Sequence, residues 1–272
     1  MELFTSLFAE SDQSRCEHGR RTFILEEKEI DMTTDTQTVR EIALEVPSSI
    51  RVFEHFGIDY CCGGRKPLAE ACSASGVEVD AVIAALESAA GAPSTIVEDW
   101  QQRAMGDLVG HIIATHHAYV KKELPRLAVL AQKVVNRHGA HRAELPEIQL
   151  ALSKLDAELT QHLAKEEAVL FPYIVQMERA SAAGARRPDS CFGTVANPIA
   201  MMTQEHDAAG TLLAQIGRLS QNFTTPDDAC PTYHAFYDGL KEFEQDLHQH
   251  IHLENNILFP RAIEMESREV RR

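Results

Sequence analysis

Apolar residues recur along this chain at intervals of three and four, the period of a helix packed along one face. "TVREIALEVPSSIRVFEHFGI" carries Val39, Ile42 and Ala43, then Ile50, Phe53 and Phe56, with the pattern interrupted at Pro47 and ended at Gly57. "YCCGG" follows as a turn, and two short helices are expected over 67–74 and 78–90, separated by Ser75 and Gly76. From about residue 103 the same period runs much longer and predicts four long helices. The first spans 104–136 and is broken by Gly139; the second spans 144–180. The third opens at "ANPIAMMTQEHD", with Asn197 as N-cap and Pro198 as the first helical residue. The fourth opens at "TTPDDAC", with Thr225 as cap, Pro226 next, and Asp227 and Asp228 where the helix dipole favours negative charge. Short connectors between long amphipathic helices imply an all-α, antiparallel up-down four-helix bundle. The expected organisation is a poorly ordered extension (1–35), a small helical domain (36–92), a linker (93–102) and the bundle (103–267).

Composition narrows the function classes. Aromatic residues make up 6 % of the chain, which suits helix better than sheet. A net charge of −15 leaves no broad basic face to release counterions, which argues against nucleic acid and anionic membrane surfaces as partners. No apolar run reaches the ~18 residues of a membrane span, and "MELFTSLFAESDQ" lacks the basic start of a signal peptide. The six cysteines (16, 61, 62, 72, 191 and 230) form no disulfide framework, and a reducing cytoplasm is the expected compartment. The α-carbons of Cys61 and Cys62, being neighbours, lie about 3.8 Å apart, below the usual disulfide range.

The chemistry announces itself through repetition. "HLAKEEAVLFP" (162–172) returns as "HIHLENNILFP" (250–260), both reading His-x3-Glu-x3-Leu-Phe-Pro. His162 and His250 are 88 residues apart, as are Glu166 and Glu254, and nearly the same offset relates His117 on the first long helix to His206 on the third. The bundle is therefore read as two equivalent helical hairpins, each giving one His from its first helix and a His-x3-Glu from its second. Residues i and i+4 lie about 6 Å apart on one helical face. Four imidazoles and two carboxylates thus meet midway along the bundle. Burying two bare carboxylates is costly unless something positive compensates them. A pair of divalent ions does so, and imidazole with carboxylate suits non-haem iron, manganese or zinc. Leu170, Phe171, Leu258 and Phe259 are expected in the core, with Pro172 and Pro260 disturbing their helices. Glu158, one turn before His162, and Glu205, beside His206, are candidates for hydrogen bonds to a ligand. His111, His116, His138, His141, His234, His248 and His252 are read as surface residues or supporting partners. Ferritin-type Glu-x2-His and zinc-protease His-Glu-x2-His motifs are absent from the sequence.

These marks, with "DYCCGG" (59–64) and "EHDAAG" (205–210), resemble the iron–sulfur cluster repair di-iron proteins, a family with a small Cys-Cys-Gly-Gly domain before a hemerythrin-like bundle. The resemblance covers 37–265; the first 35 or so residues have no counterpart. It implies two non-haem iron ions with an oxo or hydroxo bridge, His117, His162, His206 and His250 as terminal ligands, and Glu166 and Glu254 as bridges. It implies a stress protein that restores iron–sulfur proteins damaged by nitric oxide or oxidation, by supplying iron or by redox chemistry of the nitric oxide reductase type. Nitric oxide and oxygen are the small ligands it suggests, and a homodimer is one arrangement it allows. Glu254 stands where oxygen-carrying hemerythrin has the second His of a His-x3-His, which disfavours reversible oxygen carriage. The competing reading is an oxygen- or nitric oxide-binding sensor without turnover. Cys61 and Cys62 would be redox or iron-relay thiols, and a helix beginning near Pro67 would lower their pKa through its positive N-terminus.

Overall fold

A computed structural model describes residues 37–90 and 99–270. The extension 1–35 and most of the expected linker lie outside the described residues. Among the described residues the regular elements are all helical.

The small domain follows from its turn chemistry. Helix α1 (Val39–Glu45) opens on a capping box: Thr38 Oγ1 accepts the Glu41 N–H at 3.2 Å while the Glu41 carboxylate accepts the Thr38 N–H at 2.8 Å. Pro47 separates it from α2 (Ser49–Phe56), which ends on Gly57 at φ +66°. Helix α3 (Leu68–Ser75) ends on Gly76, and α4 (Val79–Ala90) completes the unit. Val39, Ile42, Phe53, Leu68, Cys72, Val82 and Leu86 are buried between them. The predicted elements stand within a residue or two of these bounds.

Each long helix except the third carries a widened π-helical turn. The first runs from Met105–Ile112 through the turn Ile113–His117 to Ala118–His138. The second runs from Glu144–Lys165 through Glu166–Leu170 to Phe171–Ala182, the third is Ala196–Leu219, and the fourth runs from Pro231–His252 through Leu253–Leu258 to Phe259–Val270. Two of the three turns lie immediately before Phe171-Pro172 and Phe259-Pro260. Proline has no N–H to continue the ordinary hydrogen-bond register, so the disturbance expected from each Leu-Phe-Pro takes the form of an inserted residue. The first and second, second and third, and first and fourth long helices pack on one another. A core of Met105, Ile112, Phe171, Ile174, Met177, Val195, Leu258, Phe259 and Ala262 fills one end.

Two predicted helix starts are corrected. The third long helix begins at Ala196, so Asn197 is not its cap; Asn197 Nδ2 instead donates to the Phe192 carbonyl at 2.9 Å. The acceptor at this end comes from the fourth helix, where both oxygens of buried Glu266 take the Val195 N–H at 3.1 Å. The fourth helix begins at Pro231 rather than Pro226. Pro226 to Ala229 closes a separate turn, and Thr225 Oγ1 pairs with His234 Nδ1 at 3.0 Å.

The small domain meets the bundle beside the fourth helix's π turn. Asn256 Nδ2 donates to the Tyr60 carbonyl at 3.0 Å, and Arg40 Nη2 donates to the Asn256 carbonyl at 3.0 Å. Beyond the linker, Gln101 Nε2 donates to the Leu44 carbonyl at 2.8 Å.

Candidate metal centre

The four long helices bring six buried donors together in two overlapping groups. His117, Glu166, His250 and Glu254 form one; His162, Glu166, His206 and Glu254 form the other, with all donor atoms of a group within 4.8 Å of one another. Both carboxylates belong to both groups, which is what bridging ligands require. Glu254 divides its oxygens: Oε1 lies 2.9 Å from His250 Nε2 and Oε2 lies 3.0 Å from His206 Nε2. Glu166 Oε2 faces His117 Nε2 at 3.4 Å and His162 Nε2 at 3.3 Å. The widened turns place these carboxylates, since Glu166 opens one and Glu254 lies in another.

The donor set fits a pair of metal ions. Within each group the two imidazole Nε2 atoms are 3.1 Å (His117 and His250) or 3.0 Å (His162 and His206) apart. Two nitrogens bound to one ion at about 2.1 Å and a right angle lie about 3.0 Å apart, whereas a tetrahedral angle would spread them to about 3.4 Å. The spacing suits adjacent corners of an octahedron. Glu166 Oε1 is buried without a hydrogen-bond partner among the described residues, while Glu166 Oε2 and Glu254 Oε2 meet only imidazole Nε2 atoms. Unsatisfied buried carboxylate oxygens cost several kcal/mol, roughly, and cations would offset that cost.

The outer faces of the imidazoles set their orientation. His117 Nδ1 meets Glu167 at 2.8 Å, His162 Nδ1 meets Glu205 at 2.9 Å, and His206 Nδ1 meets Asn255 Oδ1 at 3.0 Å. Each acceptor favours a proton on Nδ1, so that loss of any Nε2 proton would leave that lone pair facing inward for a metal ion. Lys121 and Lys165 hold Glu167 and Glu205 in turn at the exposed rim. Of the two carboxylates expected to support a ligand, Glu205 does so; Glu158 is exposed, and His162 has Glu205 in its place. Glu167 and Asn255 are absent from the sequence-based set. Their signal was available: both directly follow the shared Glu, at the same position in the two copies of the repeat.

Some of the remaining histidines are not surface residues. His116 is buried, with Nδ1 2.9 Å from Asp246 and its ring parallel to that of His250 at 5.7 Å. His252 is also buried, accepting from Asn256 Nδ2 at 2.9 Å, while His250, two residues before it, meets Glu254. Repeated aromatic contacts accompany the repeated ligands: Phe171 stacks on His117 at 5.5 Å, and Phe259 on His206 at 6.1 Å.

Protons occupy the metal-free core. Burial works against a charge on His117, but Glu166 and Glu254 outweigh it and raise its pKa to about 10. Burial likewise opposes charge on His162, and Glu166 leads the groups that raise it to about 9. Burial holds His250 below the usual imidazole range. For Glu254 burial pushes upward, but His250, His117 and His206 hold it well below the usual carboxylate range. At neutral pH, then, two imidazolium ions balance two carboxylates. Metal ions must displace those protons, so binding at pH 7 is expected to release about two protons per chain from His117 and His162. The release should decline as pH rises through 9 to 10, where the metal-free imidazoles are already neutral. Calorimetry of ferrous ion binding in buffers of different ionisation enthalpy measures it; no release at pH 7 would contradict the assignment.

The thiols sit against this centre, in surroundings unlike those expected. Cys61 is buried; the neighbouring Cys62 thiol, followed by burial, Cys62 and Asp59, pushes its pKa up rather than down. Helix α3 starts at Leu68, and the backbone N–H groups of Cys61, Cys62 and Gly63 point at the Asp59 carboxylate at 3.0, 2.9 and 2.9 Å. Cys62 Sγ lies 3.7 Å from the carbonyl oxygen of His206.

The fold and donor set define a hemerythrin-type cation-binding bundle, and comparison with known proteins agrees. Residues 108–262 match the hemerythrin HHE cation binding domain, and residues 35–90 match a domain of unknown function (DUF542). Non-haem iron is the metal this domain implies. Iron-sulfur cluster repair protein YtfE of Yersinia pseudotuberculosis serotype IB (strain PB1/+) is 37 % identical over 227 residues, covering 84 % of this chain and 96 % of the relative. The protein of the same name from Yersinia pestis (strain Pestoides F) matches with the same identity and coverage. The chain belongs to the iron–sulfur cluster repair protein family. No helix among the described residues is long and apolar enough to cross a membrane.

Proposed function

We propose that this protein repairs iron–sulfur proteins damaged by nitric oxide or oxidation, drawing on a pair of non-haem iron ions held in its bundle. The observation that carries this reading is the sharing of Glu166 and Glu254 between two histidine pairs at octahedral spacing. In it, residues 36–92 form the thiol domain and 103–267 an up-down bundle. His117 and His250 would hold one ion and His162 and His206 the other, with Glu166 and Glu254 available to both. Bound iron supplies ligand exchange and a change of oxidation state. The chain supplies the rest: Glu167, Glu205 and Asn255 orient the imidazoles, Phe171 and Phe259 cover their rings, and the apolar end of the bundle excludes water. Cys61 and Cys62 are the groups through which iron passes toward a client, a role supported by the contact of Cys62 with the His206 backbone.

The test is repair of an enzyme whose [4Fe–4S] cluster has been nitrosylated, with the iron content of the repair protein followed in the same sample. The unaltered protein should restore activity while losing iron. A Cys61→Ser/Cys62→Ser protein should keep its iron and restore at least about tenfold less activity in the same time, given the weak affinity of a hydroxyl for ferrous iron. Equal repair by the double variant would remove the thiols from the pathway, and repair by iron-free protein would remove the centre.

A further inference from the structure

The geometry points to a second metal site, made by Asp59, Cys61 and Cys62, that takes one divalent ion of the borderline-soft class in tetrahedral coordination. It deepens the iron-delivery reading, which makes that ion ferrous iron, but its geometry stands apart from that reading. The sulfur and carboxylate donor atoms lie within 4.8 Å of one another. Cys61 Sγ and Cys62 Sγ are 3.8 Å apart. Two thiolates bound at about 2.3 Å to a tetrahedral ion are separated by about 3.8 Å; at a right angle they would be separated by about 3.3 Å. Asp59 Oδ1 is 3.4 Å from Cys61 Sγ. A sulfur and a carboxylate oxygen on the same tetrahedral ion lie about 3.5–3.7 Å apart, with metal–oxygen bonds of about 2.0–2.2 Å, so the oxygen needs to move by only a few tenths of an ångström. A disulfide would instead bring the sulfurs to about 2.05 Å. The thiol hydrogen bonds from Cys61 to Cys62 and to Asp59 thus hold the three donors at a spacing that one ion can take over.

The turn is held in this shape before any ion arrives. Three backbone N–H groups anchor the Asp59 carboxylate, and Gly64 lets the chain fold back, since a Cβ there would come within 2.7 Å of the Tyr60 carbonyl oxygen. Cys62 packs against Gly210 of the third long helix, its Sγ at ordinary contact distance, 3.7 Å, from where a Cβ would lie. Exposure grades across the three donors: Cys61 is buried, Cys62 is half-buried and Asp59 is exposed. Three protein donors leave the fourth corner to a water or an incoming ligand. The ion replaces the two thiol protons, which pass to solvent.

One side chain joins this site to the bundle centre. Asn255 Nδ2 donates to the Cys61 carbonyl at 3.4 Å, while its Oδ1 takes the Nδ1 proton of His206 at 3.0 Å. The backbone carbonyl of His206 is the group that Cys62 touches. An ion at the thiols therefore sits one residue's thickness from a ligand of the dinuclear centre. The two sites differ in kind: octahedral nitrogen and oxygen donors in the bundle, tetrahedral sulfur at the turn.

Cobalt(II) titrated anaerobically into the full metal-free chain tests this site directly, because only thiolates give sulfur-to-cobalt charge-transfer absorption. About one equivalent should develop that band together with the intense visible absorption of tetrahedral cobalt. Cys61→Ser/Cys62→Ser should abolish the band. Asp59→Asn, which keeps the amide acceptor for the turn, should keep the band and weaken cobalt affinity by about tenfold. Absence of the band in the unaltered protein, or its survival in the double variant, would overturn the site. If the band behaves as stated but the double variant repairs clusters normally, the site stands and the delivery reading fails.

Discussion

A Glu254→Ala protein is expected to retain less than about half of the iron of the unaltered protein. Glu254 faces one histidine of each pair, through Oε1 to His250 and Oε2 to His206. Its loss removes a donor from both ions and a negative charge that offsets them. The metal-free protein should suffer too, because His117 is held charged by both glutamates. Breaking a buried ion pair by deleting one partner costs about 3–5 kcal/mol. Glu254→Gln separates these effects: it restores volume and an acceptor, so the metal-free fold recovers much of its stability while iron binding does not. Iron analysis after exhaustive dialysis and thermal unfolding of the metal-free proteins give the two readouts. Iron content equal to that of the unaltered protein would remove Glu254 from the centre.

Phe171→Ala should lower stability by about 3–5 kcal/mol, as expected for truncating a fully buried aromatic ring. In a domain of this size that corresponds to a fall in Tm of about 6–20 °C. Phe171 is 1 % exposed and lies on the ring of His117, while Phe259 is 2 % exposed and lies parallel to that of His206. Each therefore covers one imidazole of one pair, and Phe259→Ala should behave alike. Both variants should also lose iron to a chelator faster, because the uncovered imidazole gains freedom to turn and water gains access. Val129→Ala, at a position 54 % exposed on the first long helix, should change neither quantity appreciably. Thermal unfolding and chelator-release kinetics measure both effects. A Phe171→Ala protein with unaltered stability would show that the ring is not part of the core as described.

What could be read from the sequence followed from periodicity. A spacing of four on a helix fixes a face, so His162/Glu166 and His250/Glu254 declared their partners, and the repeat carried the assignment to His117 and His206. Glu205 and Glu158 were harder to separate, because each needs the rotation of a neighbouring helix as well as its own. The start of the third helix was misread since its acceptor, Glu266, lies 71 residues from Val195. The "TPDD" stretch has the composition of a helix start, yet closes a turn before one. Cys61 departs from the expectation because the Cys62 thiol beside it and its own burial raise its pKa, with Asp59, which takes the turn's N–H groups, adding to the rise. That turn is held by the His206 carbonyl on the third helix and by Asn255 on the fourth, contacts between segments far apart in sequence.

In the proposed centre, two iron ions would lie between Glu166 and Glu254, one beside each histidine pair. Anomalous diffraction from crystals of the iron-loaded protein, recorded on both sides of the iron absorption edge, tests it most directly. Two iron peaks are expected in the bundle, one in contact with His117 and His250 and one with His162 and His206, with both glutamates touching both peaks. A single peak there, or iron held without these glutamates, would contradict it.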